Sequence, residues 1–173
     1  QYCNDLVRST MNFLRHTSNM EVPFNLNEVV QLCLDVAQPV LRKESVTTTE
    51  ELSSDISPCR GDLVLVRQAV LNLIYNACQA MAEHGTDRQI IFKTWREERS
   101  ICLSINDSGP GIPEKDCQRI FNTLYSTKGD GGTGLGLMVV KSVMHRHGGD
   151  VTLEEGSLGG ACFVIKLPMS QAH

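Results

Sequence analysis

The stretch DLVLVRQAVLNLIYNACQAMAE, residues 62–83, decides how this chain is read. Asp62 stands where an N-cap belongs, and the apolar spacing after it predicts a helix over about 63–83. At about 100° per residue, Leu63, Val66, Val70, Leu73, Ala77 and Met81 share one face. Gln68, Asn72, Asn76 and Gln79 gather on the other. A solvated face usually carries Lys and Glu, whereas this one is mostly neutral amides. An Asn carbonyl oxygen brings no formal charge, which suits a hard cation that also takes phosphate oxygens as ligands. Asn72 and Asn76, four residues apart, point the same way one turn apart. Taken alone, the stripe is also readable as an amide-rich wetted surface.

Downstream lies a second signal, Ile105-Asn106-Asp107-Ser108-Gly109-Pro110-Gly111-Ile112-Pro113. Ile101, Leu103 and Ile105 alternate as on a strand and run straight into Asp107 and a tight glycine turn. Pro113 then opens a short helix through Ile120. A carboxylate at the lip of a sheet can accept a hydrogen bond from an exocyclic amine, while the glycines let a flat ring approach the backbone. That arrangement selects adenine over guanine, whose oxo group would face the carboxylate unpaired. Asp-x-Gly turns are also ordinary loop chemistry. The third signal is Lys128-Gly129-Asp130-Gly131-Gly132-Thr133-Gly134-Leu135-Gly136-Leu137, leading into an apolar helix over about 134–147. Glycines opening a helix expose backbone N–H groups, which with the helix dipole make an anion site. No strand precedes these glycines and no Gly-Lys-Ser/Thr follows, so neither a dinucleotide fingerprint nor a Walker loop is present.

Around these signals the chain alternates helix and strand. Residues 3–18 read as a helix with Val7, Met11 and Leu14 on one stripe, too short to stand alone. Pro23 ends that unit and a linker runs through Phe24. A second amphipathic helix follows from Asn27, its N-cap, to Leu41, with Pro39 expected to bend it or loosen its last turn. Strands are expected at 46–52, 89–95, 100–106, 151–153 and 161–167, the second and third forming a hairpin about a charged turn. The pattern is α+β, a mixed sheet covered by helices on one side.

Composition bounds the function. The chain has 173 residues, 16 Lys+Arg against 20 Asp+Glu, and a formal net charge of -4, which argues against a general nucleic-acid grip. Neither a membrane-length apolar run nor a signal-peptide pattern occurs. Seven cysteines are spread evenly with no CxxC pair, as expected for reduced core thiols in a cytoplasmic setting. His145 and His147, two apart near a helix end, form no metal-ligand pattern.

The order of the three signals is more specific than any one of them. Asn72-Leu73-Ile74-Tyr75-Asn76-Ala77, then Asp107-Ser108-Gly109-Pro110-Gly111, then Gly132-Thr133-Gly134-Leu135-Gly136-Leu137 resembles the N box and the two glycine boxes of bacterial sensor histidine kinases. Ile120 to Lys128 resembles the phenylalanine box, and the closing Gly148–Pro168 segment is also typical. The resemblance covers about residues 24–168. It implies a Bergerat ATP-binding fold, a two-layer α+β sandwich with a mixed sheet and three main helices, preceded by the tail of a dimerisation helix. On that reading residues 1–22 are the remnant of a phosphoacceptor domain with its linker, and residues 23–173 are the catalytic ATP-binding domain.

The resemblance also implies roles. Asn76 holds Mg²⁺ bridging the ATP phosphates, supported by Asn72, with Lys128 taking up phosphate charge. Asp107 reads the adenine amine, Gly109 and Gly111 shape the pocket, and Gly132, Gly134 and Gly136 cradle phosphates. The nucleotide contacts extend to Gln79, Ile112, Phe121, Thr127, Thr133, Leu135 and Leu137. The implied cofactors are ATP and Mg²⁺. The implied partners are the chain's own dimerisation domain, in a homodimer, and a response regulator. The fragment itself has no direct membrane contact, although the whole protein is compatible with an inner-membrane address. Gln79 stands where the family often has a basic residue, and with Ala80 and Ser126-Thr127-Lys128 it resembles the nitrogen-sensor branch. Asn122 and Leu124 replace the frequent Glu and Phe. The family's phosphoacceptor box is absent, and His16 lacks its context.

Hydrolytic relatives of this fold carry a Glu four residues before the metal-binding Asn as general base for water. Here that position is Asn72, which accepts no proton at neutral pH, so transfer to a histidine is favoured over hydrolysis. The competing expectation is a degenerate, non-catalytic nucleotide-sensing or docking module, supported by Gln79 and the altered phenylalanine box.

Overall fold

The computed structural model describes residues 21–82, 84, 85, 87–121 and 135–170. Their elements are, in order, β1 (Val22–Phe24), α1 (Leu26–Lys43), β2 (Val46–Leu52), β3 (Cys59–Gly61), α2 (Leu63–Ala82), β4 (Arg88–Glu97), β5 (Ser100–Asp107), the single-turn α3 (Glu114–Cys117), α4 (Leu135–Arg146), β6 (Asp150–Glu155) and β7 (Ala161–Pro168). Five strands form a sheet in the order β2-β4-β5-β7-β6. β2 pairs with β4 in parallel, and every other pairing in that sheet is antiparallel. Helices α1, α2 and α4 pack on one face, as the α+β reading requires.

Alternation along β5 builds the two faces. Ile101, Leu103 and Ile105 join the main core under the helices, while Cys102 joins Cys162, Val164 and Trp95 in a small cluster on the far side. Five of the described cysteines are buried and none is bridged. Burial pushes the Cys33 thiol up to about 12 and the Cys59 and Cys78 thiols to about 11, so these act as small apolar core residues.

The chain departs from expectation in four places. Residues expected to be linker form β1, paired with β3 so that Val22 faces Gly61 and Phe24 faces Cys59. A three-residue strand carries no periodicity to read, and a two-stranded ribbon has edges on which Pro23 is tolerated. The N-cap of α1 is Asn25, whose Oδ1 accepts the Asn27 N–H at 2.9 Å. Asn27 is spent elsewhere: its Nδ2 donates to the Ser53 carbonyl and its Oδ1 accepts the Thr94 hydroxyl at 2.7 Å, tying α1 to the sheet. Third, α1 continues through Pro39 to Lys43, with the Glu44 N–H still reaching the Val40 carbonyl. Pro39 lies on the exposed side of the helix, where the carbonyl it leaves unpaired is open to water. Finally, α2 is buried on two sides. Leu65, Ala69, Ile74 and Cys78 are as enclosed as the expected stripe, and Leu63 is only half-buried. Packing between α1 and α4 explains this, because a middle helix has a wider buried arc than a surface one.

Two ties fix α2. At its start, the Asp62 carboxylate accepts the Val64 and Leu65 N–H groups, so the N-cap is as expected. The Asp62 N–H donates to His147 Nε2 at 2.9 Å, which leaves His147 Nδ1 to donate to the Val143 carbonyl. Both ring nitrogens of His147 are thus spent on backbone, joining the end of α4 to the start of α2. At its other end, the Arg88 guanidinium donates to the Ala82 carbonyl at 2.8 Å and to the Glu44 carbonyl at 2.7 Å. One cation therefore satisfies the C-terminal ends of α1 and α2 together, where helix dipoles favour positive charge.

Candidate nucleotide site

Asp107 closes β5 opposite Ile90 of β4, on the helix-facing side of the sheet. It is 2% exposed. Its Oδ1 accepts the Gly109 N–H at 2.8 Å and the Ala161 N–H at 3.2 Å. Burial pushes the carboxyl above the usual carboxylate range, with these two backbone donors pulling the other way. A buried carboxylate with one oxygen held and acceptor capacity left over is a directed acceptor for an amine.

The backbone around it is packed to contact. A Cβ on Gly160 would stand 2.2 Å from the Asp107 carbonyl oxygen and 2.6 Å from the Gly109 nitrogen. A Cβ on Gly109 would meet Asp107 Oδ1 at 2.8 Å. Gly111 has φ +73 and lies against the Gly159 and Gly160 carbonyls, a left-handed position that favours glycine. Ser108 locks the turn to β4: its hydroxyl accepts the Gln89 N–H and donates to the Asp87 carbonyl at 3.0 Å. Gly159 and Gly160 are therefore part of this end of the site. No local pattern marks them for this role, since only the register of β5 against β7 brings Ala161 to Asp107.

Helix α2 is the spine on which the separate stretches meet. A Cβ at Gly109 would touch Ala80 Cβ at 3.4 Å and Met81 Cγ at 3.5 Å, so the Asp107 turn rests on the last turns of α2. One turn earlier, Asn76 is half-buried, and a Cβ at Gly136 on α4 would stand 3.7 Å from both its amide atoms. Asn72 is 8% exposed and lies inside the packing rather than on a wetted face. Gln79 is exposed. Ile112, Phe121 and Leu137 are partly buried against the core. Phe121 meets the Phe163 ring edge-on at 6.1 Å and carries Lys141 Nζ over its face at 5.4 Å. Lys141 was not singled out from the sequence, because a lone Lys on an apolar helix gives no signal until Phe121 is placed beside it. Leu135 opens α4. Thr127, Lys128, Gly132, Thr133 and Gly134 fall outside the described residues, as do residues 1–20 with His16.

Among the described residues, no group of three His, Cys, Asp or Glu side chains is arranged around a metal ion. None of the described helices is long and apolar enough to cross a membrane.

Known proteins resemble the chain in sequence and in fold. The family of histidine kinase-, DNA gyrase B- and HSP90-like ATPases matches residues 61–171. Sensor histidine kinase TmoS of Ectopseudomonas mendocina is 28% identical over 169 residues, covering 96% of this chain and 17% of its own length. Signal transduction histidine-protein kinase AtoS of Escherichia coli K12 is 30% identical over 168 residues, covering 96% of this chain and 27% of its own. The chain thus spans about a quarter or less of the length of these relatives. The nucleotide-free catalytic domain of histidine kinase ThkA superposes with a TM-score of 0.77 at 27% identity, covering 87% of this chain and 99% of that one. The match over residues 61–171 and the mixed sheet under three helices agree: the chain belongs to the histidine kinase-, DNA gyrase B- and HSP90-like ATPase family.

Proposed function

We propose that this chain is the catalytic domain of a sensor histidine kinase, binding Mg²⁺-ATP and placing its γ-phosphate for transfer to a histidine on the dimerisation domain. The observation that carries the reading is the buried, backbone-held Asp107 carboxylate, one turn of α2 away from the Asn76 amide. The adenine amine donates to Asp107, while Gly109, Gly111 and Ile112 wall the ring. Asn76, with Asn72 behind it and Gln79 beside it, faces the phosphates and holds Mg²⁺ through a carbonyl oxygen. The fit is of a particular kind: a single neutral amide without a carboxylate cluster suits a cation that arrives with phosphate ligands of its own. When bound, Mg²⁺ neutralises phosphate charge. Thr127, Lys128, Gly132, Thr133, Gly134, Gly136, Leu135 and Leu137 complete the phosphate end.

The chemistry follows from what α2 lacks. Asn72 stands where hydrolytic relatives of this fold place a Glu, and an amide takes no proton from water at neutral pH. A neutral imidazole nitrogen needs no such base. It attacks the γ-phosphorus, the bond to the β–γ bridging oxygen breaks, and ADP leaves with the electron pair. The protein's part is placement and charge. The residues before β1 are then the remnant of the phosphoacceptor domain with its linker, and a response regulator takes the phosphoryl group onward in the cytoplasm.

Calorimetry of Mg²⁺-ATP binding tests the reading, together with labelled ATP and a separate polypeptide carrying the dimerisation domain. Metal-dependent binding lost in Asn76→Ala, by about 100-fold or about 2.7 kcal/mol, and acid-labile label on the added polypeptide support it. Inorganic phosphate release without transfer, or binding indifferent to metal, overturns it.

A further inference from the structure

We propose that Asn106 and Ser157 are positioning residues for the base end of the site, gripping the β6–β7 turn from the face of the sheet opposite Asp107. Consecutive residues of a strand point to opposite faces. Asp107 is directed under the helices, so Asn106 lies on the far side, with Ile91 of β4 and Cys162 of β7 opposite it. Asn106 is 6% exposed, and the nucleotide reading gives it no task. Its Nδ2 donates to the Ser157 hydroxyl at 2.9 Å, a bond that spans 51 residues of chain. Its Oδ1 is enclosed without a hydrogen-bond partner and is faced by Gly156, where a Cβ would stand 2.2 Å away. Burying an amide with one end unsatisfied costs free energy that an apolar side chain of the same size would not. Stability alone therefore does not account for Asn106, whereas the bond to Ser157 does.

That bond falls on the turn that closes the base end. Residues 156–160 join β6 to β7, with Glu155 opposite Ala161. The first half of the turn, Gly156 and Ser157, rests on Asn106. The second half rests on Asp107: Gly160 packs against the Asp107 carbonyl and the Gly109 nitrogen, and the Ala161 N–H donates to Asp107 Oδ1 at 3.2 Å. Two adjacent residues of β5 thus hold one turn from the two faces of the sheet. Of the two N–H groups that aim the Asp107 carboxylate, Gly109 belongs to its own loop, and Ala161 arrives with the turn. Releasing Ser157 frees the exposed first half of the turn, and with it the placement of Gly160 and Ala161. A carboxylate selects an amine only while its remaining acceptor is kept in place by the groups around it. The proposal rests on the reading of Asp107 as the acceptor of the adenine amine.

Calorimetry of Mg²⁺-ATP and Mg²⁺-GTP binding to the whole chain tests this, with urea denaturation beside it. Ser157→Ala removes an acceptor from an exposed site, so stability should stay nearly unchanged. The preference for ATP over GTP should nevertheless fall about threefold to tenfold. Ser157→Thr retains a hydroxyl and should keep the preference. Asn106→Ala should lower it by a similar factor, and the double variant by no more than either single one, because the two side chains act through one bond. An undiminished preference in Ser157→Ala, a loss that Thr shares, or losses that multiply in the double variant overturns the proposal. Asp107→Asn separates the two levels. If it lowers the preference and Ser157→Ala does not, the positioning role fails and the base reading stands. If Asp107→Asn leaves the preference as it is in the unaltered chain, the base reading fails and takes the positioning role with it.

Discussion

At the sheet end of the site Asp107 is sealed in, its carboxylate held by two backbone N–H groups under a glycine with no room for a methyl. One turn away on α2, Asn76 is half-buried and faces Gly136 across an ordinary van der Waals distance. The first end is rigid because its parts are main chain: the register of β5 against β7 sets it before any ligand arrives. The second end is made of side chains on two helices, where a Cβ at Gly136 would meet Asn76 only at ordinary contact distance. Selection of a base calls for fixed geometry, since discrimination comes from polar groups left unpaired by the wrong partner. Accommodation of a cation with a polyanion calls for room, since the ligands arrive together.

The difference is broken most directly at Gly160. Gly160→Ala drives a Cβ into the Asp107 carbonyl and the Gly109 nitrogen, backbone atoms that cannot rotate aside. It should cost about 3 kcal/mol of stability, the upper end of overpacking effects, read by urea denaturation, and should abolish nucleotide binding. A cost below about 1 kcal/mol would mean that the turn is looser than its contacts and that the two ends are alike.

Asp107→Asn sharpens the comparison by separating binding from folding. The amide oxygen still accepts the Gly109 and Ala161 N–H groups, but its NH₂ cannot serve the adenine amine, so preference for adenine over guanine nucleotides should fall about tenfold or more. Stability should move the other way. The Asp107 carboxyl is raised in the folded state by burial, so the fold holds its proton more tightly than the unfolded chain. That contribution is full below the usual carboxylate range and lost as pH rises through the raised folded value. At neutral pH the wild type carries a buried charge that the variant does not. Asp107→Asn should therefore melt higher than wild type at neutral pH, with the gap closing on acidification. A variant less stable at pH 7 would show that the two backbone bonds outweigh burial.

Much of this was legible in residue spacing, and the rest fails for identifiable reasons. Helix α2 announced itself through its N-cap and period, and β5 through Ile101, Leu103 and Ile105 ending on Asp107. The full burial of α2 was not legible, because a period of 3.6 reports one apolar face while Leu65, Ala69, Ile74 and Cys78 are buried by neighbours that arrive from elsewhere in the chain. Asn72 and Asn76 read as equals four residues apart, yet packing encloses the first and leaves the second half-open. Asn27 read as the cap of α1, yet its side chain is engaged by Thr94, 67 residues away, and Asn25 caps the helix instead. Gly160 illustrates the general limit: its role depends on strand register, a non-local quantity no local pattern contains.

The smallest effect probes the open end. Gly136 lies in the first turn of α4, and a Cβ there meets the Asn76 amide atoms at 3.7 Å, an ordinary contact. Replacing it by Ala removes backbone freedom from the unfolded chain and adds helix preference, so Gly136→Ala should raise stability by about 0.5 kcal/mol. The new methyl nevertheless stands against the amide assigned to metal and phosphate, so Mg²⁺-ATP affinity should fall about threefold to tenfold, or about 0.7–1.4 kcal/mol. The same change, glycine to alanine, thus carries opposite signs for folding at the two ends of one site and the same sign for binding. Melting curves and calorimetry on the pair of variants read all four quantities. If Gly136→Ala destabilised the chain as Gly160→Ala does, the phosphate end would be as tightly built as the base end. Binding there would then have to proceed by rearranging α4 against α2.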